Sequence, residues 1–129
     1  MERLPIEDKL TLSSIGFRSE SCIAELVKIK ERQPYNSLVL ETAESIVDYC
    51  DMITSKNQLA VLGVPMIYFR FLLDDKPAER IESVRKTKLT LEKITRKKEV
   101  SSEEIDLGIN FFRELSNKCL EYLGANRQI

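Results

Sequence analysis

The sequence predicts an all-α protein, a compact bundle of five to six helices with up-and-down or irregular packing. Hydrophobic residues make up 43% of the 129 residues and charged residues 32%, with only four Gly and four Pro, a composition typical of helix-rich globular proteins. In the periodic segments apolar residues recur at three- and four-residue steps, as in an amphipathic helix. Strand-like alternation is absent, and no Ser/Gly linker or change of composition divides the chain. We therefore expect a single helical domain spanning residues 1–129.

Two short helices are predicted in the N-terminal part of the chain. Pro5 suits the first turn of a helix that carries Ile6 and Leu10 on one side and ends at Gly16. A second helix begins at a serine cap a few residues later and ends at Pro34, because proline cannot continue a helix.

A regular apolar stripe predicts a third helix over residues 37–54, with a cap at Asn36 or Ser37. Six residues form the stripe at helical spacing: Val39, Ala43, Ile46, Val47, Cys50 and Ile53. One side of this helix is therefore expected to be buried.

The segment LAVLGVPMIYFRFLLDD is the most apolar part of the chain. It predicts either a helix beginning at Pro65 or a buried strand over residues 59–64. Four large side chains are spread around all sides of the expected helix: Met66, Tyr68, Phe69 and Phe71. This is more apolar surface than one face of a small bundle buries, so the segment is interpreted as a central helix or an oligomer interface.

The rest of the sequence predicts two longer helices. One spans residues 77–98, because Pro77 fits a first turn and no other Gly or Pro occurs in that range. The other begins with the capping-box spacing of Ser101 and Glu104 and ends near Gly124. The apolar side of the first is formed by Val84, Leu91 and Ile94, and that of the second by Ile105, Phe112, Leu115, Cys119 and Leu123.

Composition excludes several kinds of chemistry. Because the chain has no histidine, it cannot build a Ser/His/Asp or Cys/His catalytic unit or a histidine-containing zinc site. The three cysteines have no C-x-x-C spacing and are interpreted as reduced core residues. We therefore expect no cofactor and a non-enzymatic protein.

The acidic N-terminal sequence MERLPIEDKL does not resemble a signal peptide, and the apolar run 59–73 is shorter than the ~20 residues of a membrane span. A cytoplasmic protein with no membrane partner is expected.

A basic stretch, VRKTKLTLEKITRKK, contains seven Lys or Arg among its fifteen residues. On a helix, five of these cations cluster within about 120° of one another. They are Arg85, Lys86, Lys93, Arg96 and Lys97. This basic face predicts a partner, either phosphate of a nucleic acid or an acidic protein surface. A pI near 5.7 and the lack of stacking aromatic residues in this stretch favour a protein.

An acidic counterpart lies on the helix over residues 37–54. Four carboxylates fall within about 80° opposite the apolar stripe. They are Glu41, Glu44, Asp48 and Asp51. Convergent carboxylates bind Mg²⁺, so the ribbon could form half of a metal site. The other half would come from Asp74, Asp75, Glu103 or Glu104.

The segment ETAESIVDYCD contains the spacing Glu-x-x-Glu and resembles the acidic helices of all-α nucleotide pyrophosphohydrolases. In that family the acidic residues come from two facing helices, whereas here four line one helix. The resemblance implies a metal-dependent nucleotide phosphohydrolase as one alternative function.

Three functions follow in order of expectation. The first is association with a protein, either as a homo-oligomer or as a subunit of an intracellular assembly. The second is association with nucleic acid through the basic face of the helix over residues 77–98. The third is the metal-dependent phosphohydrolase. The acidic and basic helices could also meet, either between subunits or within one chain.

Overall fold

The computed structural model describes residues 6–56 and 77–125, and all regular structure within these ranges is α-helical. The four helices are α1 (Ile6–Lys30), α2 (Ser37–Lys56), α3 (Pro77–Thr95) and α4 (Ser102–Ala125). The all-α prediction is confirmed, and no strand occurs in the described ranges. A total of five to six helices is not confirmed by these four, and the segment carrying Met66, Tyr68, Phe69 and Phe71 lies outside the described residues.

The four helices pack side by side, with each making its main contacts to two others. The neighbours are α1 with α2, α2 with α3, α3 with α4, and α4 with α1. Adjacent helices run antiparallel, as the α1/α4 contacts illustrate. Lys30 near the end of α1 contacts Asp106 near the start of α4, whereas Glu20 contacts Ser116 farther along α4. Short turns between α1 and α2 and between α3 and α4 produce this arrangement.

Helix α1 corrects the prediction of two short N-terminal helices, because it continues through Gly16. A helical glycine costs only about 1 kcal/mol relative to alanine, which tertiary packing easily outweighs. Gly16 is buried against α4, where an added Cβ would lie 3.6 Å from the Cβ of Cys119. Packing against α4 therefore keeps one continuous helix where the local sequence predicts a break.

Helices α1 and α3 end in the same way, without glycine. Arg32 and Lys97 adopt the left-handed conformation with φ of 59° and 56°. The Lys98 N–H donates to the Lys93 carbonyl at 2.8 Å, and the Lys97 N–H to the Ile94 carbonyl at 3.0 Å. These two bonds form a Schellman motif. The predicted helix over residues 77–98 was therefore too long, since α3 ends at Thr95.

The predicted N-terminal caps of α2 and α4 are present. The Asn36 side chain accepts from the Leu38 N–H at 3.0 Å. At α4 the Glu104 N–H donates to Ser101 Oγ at 3.1 Å, and the Ser101 N–H donates to Glu104 Oε1 at 3.2 Å. This reciprocal pair is a complete capping box.

The core lies between the inward faces of the four helices. Its largest fully buried side chains are Phe112, Leu12, Leu26 and Leu91. The apolar stripes predicted for α2, α3 and α4 face this core, as shown by Val47, Val84, Leu91, Phe112 and Cys119. Helical periodicity therefore identified the buried side of these three helices correctly.

Candidate interaction surfaces

The basic residues predicted as one face are divided among different partners. Near the start of the stretch, Arg85 Nη2 contacts both oxygens of Glu82, at 2.8 and 2.6 Å. Lys86 Nζ lies 3.6 Å from the same carboxylate. The Arg85 guanidinium, followed by Lys86, holds the pKa of Glu82 below its ordinary value. These two cations thus share an anion on their own helix.

The other three predicted basic residues lie at the end of α3 and beyond it. Lys93 Nζ contacts Glu104 Oε2 at 2.7 Å, which links α3 to α4. Arg96 and Lys97 are exposed in the turn after Thr95. The five cations therefore do not form one continuous helix face.

Lys88, which was not among the five, connects the basic helix to the acidic one. Its Nζ lies 3.1 Å from Asp51 Oδ2 and 3.6 Å from Asp48 Oδ1 on α2. Hydrogen bonding to Asp51 is the main reason that the pKa of Lys88 is raised. Farther along the same interface the Thr95 hydroxyl donates to Glu44. The acidic ribbon and the basic stretch therefore meet within one chain.

An open groove of about 370 Å³ lies between α2 and α3 at this contact. Its lining residues are Glu44, Val47, Asp48, Asp51, Lys88, Leu91 and Glu92. The Lys88 ammonium already pairs with two carboxylates of the ribbon, Asp48 and Asp51. Glu41, the remaining member of the ribbon, is exposed.

Two of the carboxylates expected to complete a metal site, Glu103 and Glu104, lie within the described residues but away from the ribbon. Glu104 is bound to Lys93 and Ser101 at the α3–α4 connection. Glu103 lines a separate groove between α3 and α4. Asp74 and Asp75 lie outside the described residues. Within the described ranges, no three His, Cys, Asp or Glu residues are grouped so that they could hold a metal ion.

The outer face of α1 is an apolar surface of which the sequence predicted only the part formed by Ile6 and Leu10. Ile6, Leu10 and Phe17 are 75%, 65% and 74% exposed. They fall within about 40° around the helix axis. The buried side of the same helix, which includes Leu12 and Leu26, points in the opposite direction. Helix α1 is therefore apolar on two opposite sides.

Six exposed residues continue this face along most of the helix, and we call them the outer seam of α1. They are Ile6, Leu10, Ser13, Phe17, Glu20 and Ala24. Their spacing of 4, 3, 4, 3 and 4 residues is the heptad spacing of a coiled-coil seam. The signal was present in the sequence, but the break predicted at Gly16 divided it between two helices.

The thiols offer no reactive group at neutral pH. Cys22, Cys50 and Cys119 are all buried and free. Burial raises the pKa of each thiol to about 12. The prediction of reduced core cysteines agrees with this burial.

Comparison of the chain with protein-family models, with curated proteins and with solved structures finds no match. None of the described helices has the length and apolar character needed to cross a membrane.

Proposed function

We propose that this is a non-enzymatic helical protein that works by binding another protein through the outer seam of α1. The observation that carries the proposal is the exposure of Ile6, Leu10 and Phe17 on the side of α1 opposite the core. The partner is either a second copy of the chain or another subunit of an intracellular assembly.

An apolar seam that stays in contact with water is energetically unfavourable. Burial of a Leu, Ile or Phe side chain is favourable by about 1.5–3 kcal/mol. Isolated exposed apolar residues are ordinary, but a row along one helix is a surface that a second helix can cover. Small or polar neighbours at Ser13 and Ala24 allow close approach along this row. The seam therefore has the pattern of a helix-in-groove or helix-on-helix contact.

Site-specific photo-crosslinking tests this function. A photoreactive phenylalanine analogue at position 17 of the full chain, produced in the organism that encodes it, is expected to give a discrete protein adduct. The matched control places the analogue at Leu38, which is 68% exposed on α2. Equal or absent adduct formation at the two positions would overturn the proposal.

Nucleic-acid binding has less support as the second function. Arg85 and Lys86 share Glu82, and Lys93 is paired with Glu104. A phosphate would have to compete with these carboxylates, so the attraction expected from the sequence is reduced. A gel shift at low salt tests this alternative, because binding through these cations would weaken uniformly in an Arg85→Ala, Lys93→Ala, Arg96→Ala variant.

Metal-dependent phosphohydrolysis has still less support, since Lys88 lies beside Asp48 and Asp51 at 3.6 and 3.1 Å. A cation bound there would meet an ammonium group of the same sign. A thermal melt with millimolar Mg²⁺ tests this alternative, because a ligand that binds the native state raises the melting temperature.

A further inference from the structure

We infer that the outer seam of α1 binds the same seam of a second copy in antiparallel orientation, forming a two-fold symmetric dimer. This inference rests on the proposed function, because it names the partner of the surface assigned there. In a two-fold contact the same patch is used on both chains, so the seam must be complementary to itself. Two features of the seam meet this requirement, the sizes of its side chains and the positions of its charges.

Side-chain size is complementary when the seam is reversed. With the two-fold axis midway between Ser13 and Phe17, each phenylalanine faces the small serine of the other chain. The same register places Ile6 opposite Ala24, and Leu10 opposite Glu20, of the second copy. Large side chains opposite small ones interdigitate, which is how packed helix layers fill space.

Charge is complementary in the same register. Lys9 and Glu20 lie on the same edge of the seam, within about 20° of each other around the helix. In the antiparallel pair Lys9 of one chain lies beside Glu20 of the other, and the contact occurs twice. Glu20 Oε1 already accepts from the Ser116 hydroxyl at 2.8 Å, and this bond holds the carboxylate at that edge. A carboxylate has capacity for further donors.

A parallel pair of the same seams lacks both features. It would place Phe17 against Phe17 and Ser13 against Ser13. The phenylalanine layer would be crowded, and the serine layer would be left underfilled. Glu20 would face Glu20, which is repulsive, and Lys9 would lie on the opposite edge of the pair from Lys9 of the other chain. Both size and charge therefore select the antiparallel orientation.

Sedimentation equilibrium of the purified full chain provides the first test. The apparent mass is expected to rise with concentration from that of one chain to that of two. Phe17→Ser should raise the dissociation constant at least about tenfold, as expected for a central apolar anchor. The control Leu38→Ser should leave it unchanged. A monomer at all concentrations, or an equal effect of the two variants, would overturn the inference.

Charge reversal provides the second test and is specific to orientation. Lys9→Glu and Glu20→Lys should each weaken the dimer, because each places like charges together at both contacts. An equimolar mixture of the two variants should restore dimers as heterodimers, since every contact then pairs opposite charges. Circular dichroism melts of each variant verify that the chains stay folded. No recovery on mixing would exclude the antiparallel register.

Failure of the dimer can be distinguished from failure of the proposed function. A purified chain that stays monomeric, but still crosslinks to a different protein from position 17 in cells, overturns only the self-pairing. Absence of any adduct at position 17, together with a monomeric chain, overturns both.

Discussion

Glu25 is a buried carboxylate that holds the turn between α1 and α2. Its side chain accepts from the Asn36 backbone N–H at 2.7 Å and from Lys28 Nζ at 3.0 Å, and the residue is 6% exposed. The backbone hydrogen bond from Asn36, followed by the bond from Lys28, holds the pKa of Glu25 below its ordinary value. Asn36 in turn caps α2, so one carboxylate connects the end of one helix to the start of the next.

Removal of this carboxylate is expected to destabilise the protein. Glu25→Ala leaves the Asn36 N–H without its buried acceptor, which costs about 1–3 kcal/mol in the free energy of unfolding. Urea denaturation measures the change. Glu31→Ala, an exposed glutamate in the same turn, is the control and should change stability by less than about 0.5 kcal/mol. Equal effects would show that the bond to Asn36 is not important.

Substitution of the left-handed residues at the ends of α1 and α3 is expected to stabilise the protein rather than destabilise it. Arg32 and Lys97 have positive φ, which side chains other than glycine adopt only at a cost. Arg32→Gly and Lys97→Gly should each stabilise the protein by about 0.5–1 kcal/mol, because the strain is removed. The control Arg96→Gly changes a neighbour without positive φ and should give no gain. A loss of stability in Lys97→Gly would contradict the expectation.

At the scale of elements, the contact between α2 and α3 joins an acidic helix to a basic one. Lys88 connects to two carboxylates of α2, and Thr95 connects to a third farther along. Part of the charge segregation visible in the sequence is therefore satisfied inside the chain. Helix α1, which carries the outer seam, makes its main contacts with α2 and α4 rather than with α3.

The Lys88 contact should show energetic coupling between the helices. Lys88→Met is expected to reduce the free energy of unfolding by about 0.5 kcal/mol, a small value because the side chain is 37% exposed. The loss should shrink when Asp51→Asn is already present, since the nearer of the two carboxylates that attract Lys88 is then absent. A double-mutant cycle by urea denaturation measures this coupling, and additive effects would exclude it. Lys86→Met, whose partner is on its own helix, serves as the control.

At the scale of the whole molecule, opposite charges are balanced but unevenly distributed. The chain has 20 basic and 21 acidic residues, for a net charge of −1. Two carboxylates connect neighbouring parts of the fold. Glu25 holds the turn between α1 and α2, and Glu104 connects the start of α4 to the end of α3. Bonding of Lys93 first, and then of Ser101, lowers the pKa of Glu104.

Stability is therefore expected to fall on acidification. The pKa values of Glu25 and Glu104 are lowered in the folded chain from an ordinary value of 4.5. These two carboxylates stabilise the folded chain fully at a pH above their pKa in the unfolded chain. This contribution is lost as the pH falls through their lower pKa values in the folded chain. Thermal melts from pH 7 to pH 3 should show a decreasing midpoint below about pH 5. The decrease should be smaller in Glu25→Gln, and an identical pH dependence would contradict the assignment.

The sequence predicted the helices, their buried sides and their caps better than the surface that carries the proposed function. Helical periodicity correctly identified the buried sides of α2, α3 and α4, and the spacing of Ser101 and Glu104 predicted a capping box that is present. The end of α3 was missed because no glycine marks it, and Lys97 occupies the left-handed position instead. The outer seam was missed because glycine disfavours helices, so the sequence predicted a helix end at Gly16. Packing against α4 keeps Gly16 inside α1 instead.

The sequence by itself determined the all-helical class, the caps and the buried stripes, because these depend on interactions within a few residues of each other. Tertiary structure alone decided which charges pair and which apolar residues remain outside. Lys88 became the partner of Asp48 and Asp51 only because α3 lies antiparallel beside α2. Phe17 became an exposed residue only because the opposite side of α1 packs against the core. A helical pattern defines the faces of a helix, but the neighbouring helices decide which face is buried.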